Sequence, residues 1–242
     1  MTISVEDCLA AINSHTRGLG SAAEGNLDAR VEHCPDWSMA DLVWHLASVH
    51  SFWNEIATRL PLSEPEDLVR PERPADADLV PALLDGVAIL TDTLRTTDQH
   101  APCWTWGQEQ NVWFITRHQV QEAAVHHWDG VNATTGHAWA MDDVIAMDAV
   151  DEFLTHSIAN PRWPMPDAAP LGATFSLPGT AFAVADGVIP GTLDRSTDAV
   201  ESDGDASSVL LWLYRRVPDE AVIPSTVDPA LVARFRAFTF TD

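Results

Sequence analysis

The sequence predicts an α+β protein, with a four-helix bundle and a following helix over residues 1–160 and a small α+β domain over residues 167–242. Three observations carry this prediction. Long stretches of the first part place apolar residues in steps of three and four, the period of one helix face. The segment Asn160-Pro-Arg-Trp-Pro-Met-Pro166 is dense in proline and breaks that pattern. After it come two short strand-like runs, 173–177 and 181–185, with Pro178-Gly179 as a turn between them.

Taken in order, Ser4 with Asp7 forms a helix-capping pattern and opens a first helix that runs towards Gly18 and Gly20. Cys8, Leu9 and Ile12 are its buried side. Ser38 with Asp41 is a second capping pattern. Behind it Leu42, Leu46, Val49, Trp53, Ile56 and Leu60 make an unbroken apolar stripe. Pro61 to Pro81 is a proline- and acid-rich connector, after which Leu83, Leu84, Val87, Leu90 and Leu94 give a third helix. The turn Pro102-Cys-Trp-Thr-Trp-Gly107 leads into a fourth helix over Val112 to Thr135. Trp104, Trp106 and Trp113 are candidates to wall a pocket there. Asp142 to Ile158 supplies the fifth helix. Beyond the break, Ser207 to Arg216 and Asp228 to Phe238 read as helices packed with the short strands.

Composition narrows the function. The 242 residues are 46% hydrophobic and carry a formal net charge of −23. All 13 basic residues are arginine, so Schiff-base lysines and the lysine-dependent phosphate loop are excluded. So negative a chain is a poor nucleic-acid ligand, and an anionic substrate would need a local arginine. No apolar run approaches the roughly 18 residues that span a membrane, and no leader is evident, which predicts a cytoplasmic protein. Cys8, Cys34 and Cys103 are widely spaced and odd in number, which suits a reducing compartment. Dinucleotide, serine-hydrolase and zincin motifs are missing.

The chemistry concentrates on the fourth helix. Ile115, His118, Glu122, Val125, His126, Asp129 and Ala133 mark one face, so a carboxylate and an imidazole lie one turn apart where apolar residues belong. Glu122 and His126 are either an ordinary helix pair or half of a metal site. His45 lies within the apolar stripe of the second helix and is a candidate third ligand. Three ligands from two helices would leave a fourth position open, as catalytic zinc sites do. Asp41 and Asp129, each one turn from a candidate histidine, could fix imidazole tautomers or serve as a cap or surface residue.

Two segments carry a family resemblance. Pro35-Asp-Trp37-Ser-Met-Ala-Asp41-Leu-Val-Trp-His45-Leu and Glu122-Ala-Ala-Val-His126-His-Trp-Asp129 resemble segments of the mycothiol-dependent maleylpyruvate isomerase-like proteins. These belong to the DinB-like helical-bundle superfamily. The resemblance implies a DinB-like bundle, an actinobacterial source and a divalent metal, usually zinc, held by His45, Glu122 and His126. It also implies mycothiol as co-substrate. The segment Leu210-Leu-Trp-Leu-Tyr-Arg-Arg216 is similar to one in the family's C-terminal domain. There Arg216 falls on an arginine that the resemblance suggests binds the anionic substrate, and Arg215 stands where the family has glycine.

The implied function is a zinc-dependent, mycothiol-using maleylpyruvate cis–trans isomerase or a mycothiol S-transferase, acting as a monomer or homodimer on an anionic electrophile. Two alternatives stay open. One is a metal hydrolase that activates water, with His50, His118 or His127 as general base. The other is a non-enzymatic metal- or thiol-binding module, its site closed by His50 or Cys34.

Overall fold

The structure, a computed structural model, describes residues 3–136, 139–154, 174–177, 180–183 and 199–237, with backbone alone for 174–177, 180–183 and 199–201. The chain divides into two compact units, Met1–Thr105 with Glu109–Trp139, and Trp106–Gln108 with Ala140–Asp242. The described residues are predominantly helical. None of their helices is long and apolar enough to cross a membrane.

The first unit is built from α1 (Val5–Ala23), α2 (Met39–Arg59), α3 (Leu79–Thr96) and α4 (Val112–Thr135). Ser4 caps α1 by accepting from the Asp7 amide, and Ser38 and Asp41 form a reciprocal capping box on α2. Asn111 caps α4. The helices close a ring in the order α1, α3, α2, α4, so that α4 is flanked by α1 and α2. Leu9, Ile12, Leu42, Leu46, Trp53, Leu83, Leu90 and Ile115 are fully buried inside it.

Three details differ from the pattern read in the sequence. Helix α1 does not end near Gly18 and Gly20 but runs on to Ala23. Gly18 lies beneath the His127 ring, where a Cβ would sit 2.1 Å from Nε2, so close packing and not helix termination requires the glycine. Helix α3 starts two residues before Pro81, which its first turn tolerates because no intrahelical partner awaits that nitrogen. Helix α4 has no single buried face. Its side chains are buried on nearly every side from Val112 to Gly130, polar Gln119, Gln121 and Asp129 included.

In the second unit α5 (Asp143–Glu152) buries Ala146, Ala149 and Val150 and packs against α6 (Ala206–Leu213). That packing groups α5 with the C-terminal residues, whereas the sequence reading attached it to the bundle. The break expected at 160–166 lies outside the described residues. Strand β1 (Thr174–Leu177) pairs antiparallel with β2 (Thr180–Ala183) and parallel with β3 (Ala199–Glu201), giving the order β2-β1-β3. Helix α7 (Pro229–Ala237) stacks Phe235 on Trp212 of α6 at 5.1 Å between ring centroids.

Helix α6 closes with Arg216 N–H on the Leu211 carbonyl at 2.7 Å, and Arg215 between them is left-handed at φ 62°. That closure favours glycine, which lacks the Cβ that makes left-handed backbone costly. Arg215→Gly should therefore stabilise the protein by up to about 1 kcal/mol, less any contact the arginine makes. Urea denaturation of both proteins checks this, and an unchanged or lowered midpoint would count against it.

Candidate metal centre

Three of the four candidate site residues converge in the first unit. His45 projects from α2, seven residues past the Ser38 cap. Glu122 and His126 project from α4 one turn apart. Glu122 Oε1 lies 3.0 Å from His45 Nε2 and 3.3 Å from His126 Nε2. One ligand atom from each residue falls within 4.8 Å of the other two. The fourth candidate, Arg216, lies in the second unit. It is 5% exposed, and its Nη1 donates to the Tyr214 carbonyl at 2.7 Å.

The set passes the test of a divalent-cation site on its own chemistry. His126 Nδ1 lies 3.2 Å from the buried Asp129 carboxylate, which accepts the ring proton there, so that Nε2 faces Glu122 and can exchange its own proton for a cation. Burial works to raise the Glu122 carboxyl, yet His126 and His45 hold it well below the usual carboxylate range. Burial likewise works to lower His126, but the charges and hydrogen bonds of Glu122 and Asp129 push it up to about 9. A buried carboxylate flanked by two imidazole nitrogens thus demands positive charge between them, and two nitrogens with one oxygen suit zinc.

Residues 8–129, just over half of the chain, match the family model described as mycothiol maleylpyruvate isomerase N-terminal domain. The chain belongs to this family. The match takes in all of the His45, Glu122, His126 and Asp129 cluster. Two solved structures share the fold of this isomerase-family chain. They are crystal structures of the mycothiol-dependent maleylpyruvate isomerase and of a variant of it with one histidine changed to alanine. Each matches at 16% identity and a TM-score of 0.66, over 94% of this chain and 97% of the other. No match was found among curated protein sequences.

Within the isomerase-family bundle, two acids that looked alike in the sequence separate. Asp129 is the partner of His126. Asp41 is not a partner of His45: its Oδ2 accepts from the Ser38 amide at 2.9 Å and hydroxyl at 2.6 Å, and its Oδ1 meets Arg73 at 2.6 Å. Those Ser38 hydrogen bonds, with Arg73, lower its pKa. The indoles beside the triad also differ from those expected. Trp37 packs on His45 at 4.7 Å between centroids and faces His126 at 6.3 Å. Trp37 and Trp44 line a cleft of about 450 Å³ with His45, Asp36, Asp41 and Ser48, while Trp104 packs edge-on against Phe52. Trp37 stood inside the first family-like segment, eight residues before His45. Its place just ahead of a capped helix carrying a candidate ligand was the signal available.

The other histidines have other duties. His50 Nδ1 donates to Gln119 Oε1 at 2.8 Å and His50 Nε2 accepts from Thr16 at 3.0 Å, so both ring nitrogens are used. His118 stacks on Phe114, with its Nδ1 against Gln121 Nε2 at 3.3 Å. His127 pairs with His15 on α1.

Two expectations follow. Asp129→Asn keeps the shape but removes the charge that holds His126, and should weaken divalent-metal affinity on the order of 10-fold or more. Competition against a chromophoric chelator reads this, and unchanged affinity would make Asp129 a purely structural residue. His50 concerns pH. Burial pushes it from 6.5 down to about 4, so between those values the unfolded chain takes up a proton that the folded one refuses. Stability should be present above pH 6.5 and lost as pH falls towards 4, by on the order of 3 kcal/mol. Urea denaturation from pH 7.5 to 4.5 should show a shallower loss in His50→Gln, and parallel curves would refute the assignment.

Proposed function

We propose that the chain is a mycothiol-dependent enzyme of the maleylpyruvate isomerase type, with His45, Glu122 and His126 holding zinc. The observation that carries this reading is the convergence of those three donors inside the span that matches the family. A divalent cation held there supplies a positive charge that favours the thiolate form of a thiol near neutral pH. The chain's own residues do the rest. Asp129 fixes the proton of His126 on Nδ1. Glu122 supplies the one negative charge of the donor set, leaving a net positive site that attracts anions. Trp37 covers one face of His45 and limits the approach of water.

In the reaction, the thiolate sulfur of mycothiol adds to the cis double bond of maleylpyruvate, and the displaced electron pair moves into the conjugated carbonyl. The new single bond rotates, and expulsion of the sulfur restores the double bond as trans. Arg216 has a planar guanidinium suited to a carboxylate, and we assign it to the substrate anion. Transfer of the same thiol to another electrophile would use the same groups and differ only in the acceptor. A small C-terminal α+β domain over residues 167–242 and a cytoplasmic location complete the proposal.

Elemental analysis of tag-free protein tests the centre first. Wild type should carry close to one zinc per chain and His45→Ala much less. Maleylpyruvate should isomerise only when mycothiol is present, with wild type and not with His45→Ala. Metal-free wild type that cannot be reloaded would overturn the centre, and zinc-loaded protein inert towards maleylpyruvate but active on another electrophile would move it to S-transfer.

A further inference from the structure

A second histidine cluster lies on another side of α4. Consecutive helical residues point about 100° apart. His126 turns towards α2 and His45, whereas His127 turns towards α1 and His15. His15 Nδ1 and His127 Nδ1 lie 3.2 Å apart, with the two rings tilted at 56°. Trp139 packs edge-on to both imidazoles, at 4.5 Å from the His127 centroid and 5.9 Å from that of His15.

We propose that His15 and His127 form a second transition-metal site, separate from the triad, for a cation that favours imidazole nitrogen. The separation decides the matter of fit. Two imidazole nitrogens bound to one ion at about 2.0–2.1 Å each stand roughly 3 Å apart when they occupy neighbouring coordination positions. The pair is held at that distance by its surroundings. The His127 ring is seated on the bare backbone of Gly18, where even a methyl group would lie 2.1 Å from Nε2. α1 and α4 pack along their length, so the two backbones cannot drift apart. Both histidines are half-buried and Trp139 is 38% exposed, so among the described residues the pair is not sealed from solvent. The formal charge of −23 draws cations to the surface. Without an ion the two Nδ1 atoms share one hydrogen; when an ion binds, that Nδ1 proton leaves to solvent and each ring carries its remaining proton on Nε2.

The class of metal follows from the donors. The two donors the pair itself supplies are imidazole nitrogens, which suit Ni(II) or Cu(II) over Mg(II) or Ca(II). Trp139 supplies a reporter, because a paramagnetic ion bound beside it quenches its emission.

Ni(II) is the probe, titrated into tag-free wild type, His15→Asn, His127→Asn, His45→Ala and Trp139→Phe, with bound nickel and zinc counted after equilibrium dialysis. At micromolar concentrations wild type should bind one nickel in addition to any zinc, with quenching. His45→Ala should keep that nickel whatever happens to its zinc. His15→Asn and His127→Asn should each bind it about tenfold more weakly or worse. Trp139→Phe should bind it without the wild-type quench. Should His127→Asn fail to fold, the half-exposed His15→Asn decides alone. The site is overturned if wild type takes up no nickel beyond the triad, if nickel enters only as zinc leaves, or if His15→Asn binds it as wild type does. A failure of the triad, by contrast, would appear only in the zinc count and the His45→Ala protein.

Discussion

A carboxylate buried in a helical bundle is the constraint on which the rest of this structure depends. Glu122 is largely withdrawn from water on the central helix, where an isolated charge would cost several kcal/mol. The fold answers with two imidazoles, one from its own helix and one from α2, both aimed at the same oxygen. The His126 ring needs an acceptor on its far side, and Asp129 one turn further along α4 provides it. Each polar group therefore exists to satisfy the one before it. Removing any member leaves a buried charge or lone pair unanswered, which confines the cluster to a cation or a proton at its centre.

The same reasoning explains why α4 has no dry face. Helix α4 buries almost all of its surface from Val112 to Gly130, yet it carries Gln119, Gln121, His126 and Asp129 inside, with the half-buried Glu122 among them. Each such side chain requires a partner, found on α4 itself for Gln121 and His126 and on α2 for Gln119 and Glu122. His50 of α2, held between Gln119 and Thr16, ties three helices together at one level of the bundle. The triad ties α2 to α4 at another. Polar contacts of this kind fix the rotation of α4 about its axis, which apolar packing alone would leave loosely set. His126 and His127, adjacent in sequence, are for that reason committed to different neighbours.

Much of this was legible in the sequence, and the losses are instructive. The Glu122–His126 spacing and the intrusion of His45 into an apolar stripe are local patterns, and a helix period converts them directly into a shared direction. Asp41 and Asp129 were indistinguishable by that rule, each one turn from a histidine. Only the tertiary contact of Asp41 with Arg73, thirty-two residues away, and its capping bonds to Ser38 separate cap from partner. Gly18 misled for a similar reason: glycine at a helix terminus and glycine under a ring look alike until α4 is in place. The grouping of α5 with α6 depends on a contact across the proline-rich break, which no periodicity reveals. Trp37 was visible as a letter in a motif but not as the lid of His45, because the direction of a side chain ahead of a helix cap is set by the turn and not by the helix.

The extent of the family match bears on what the proposed chemistry shares and what it does not. The matched span ends at Asp129, so it encloses the three candidate ligands and the carboxylate that orients one of them. Arg216 lies outside that span and in the other unit. The residues proposed to hold a cation and favour a thiolate therefore all lie inside the matched span. The arginine proposed to hold the electrophile lies outside it, beside Arg215 in a left-handed turn that glycine suits better. An arginine held at that cost next to Arg216 changes the charge and reach of the segment assigned to the substrate anion. Under the proposed function, generating the nucleophile and selecting its target fall to residues of different units, so one task can change without the other. On that proposal the use of a thiol rests on the family-matched span, and the acceptor is the half in which this protein is free to differ.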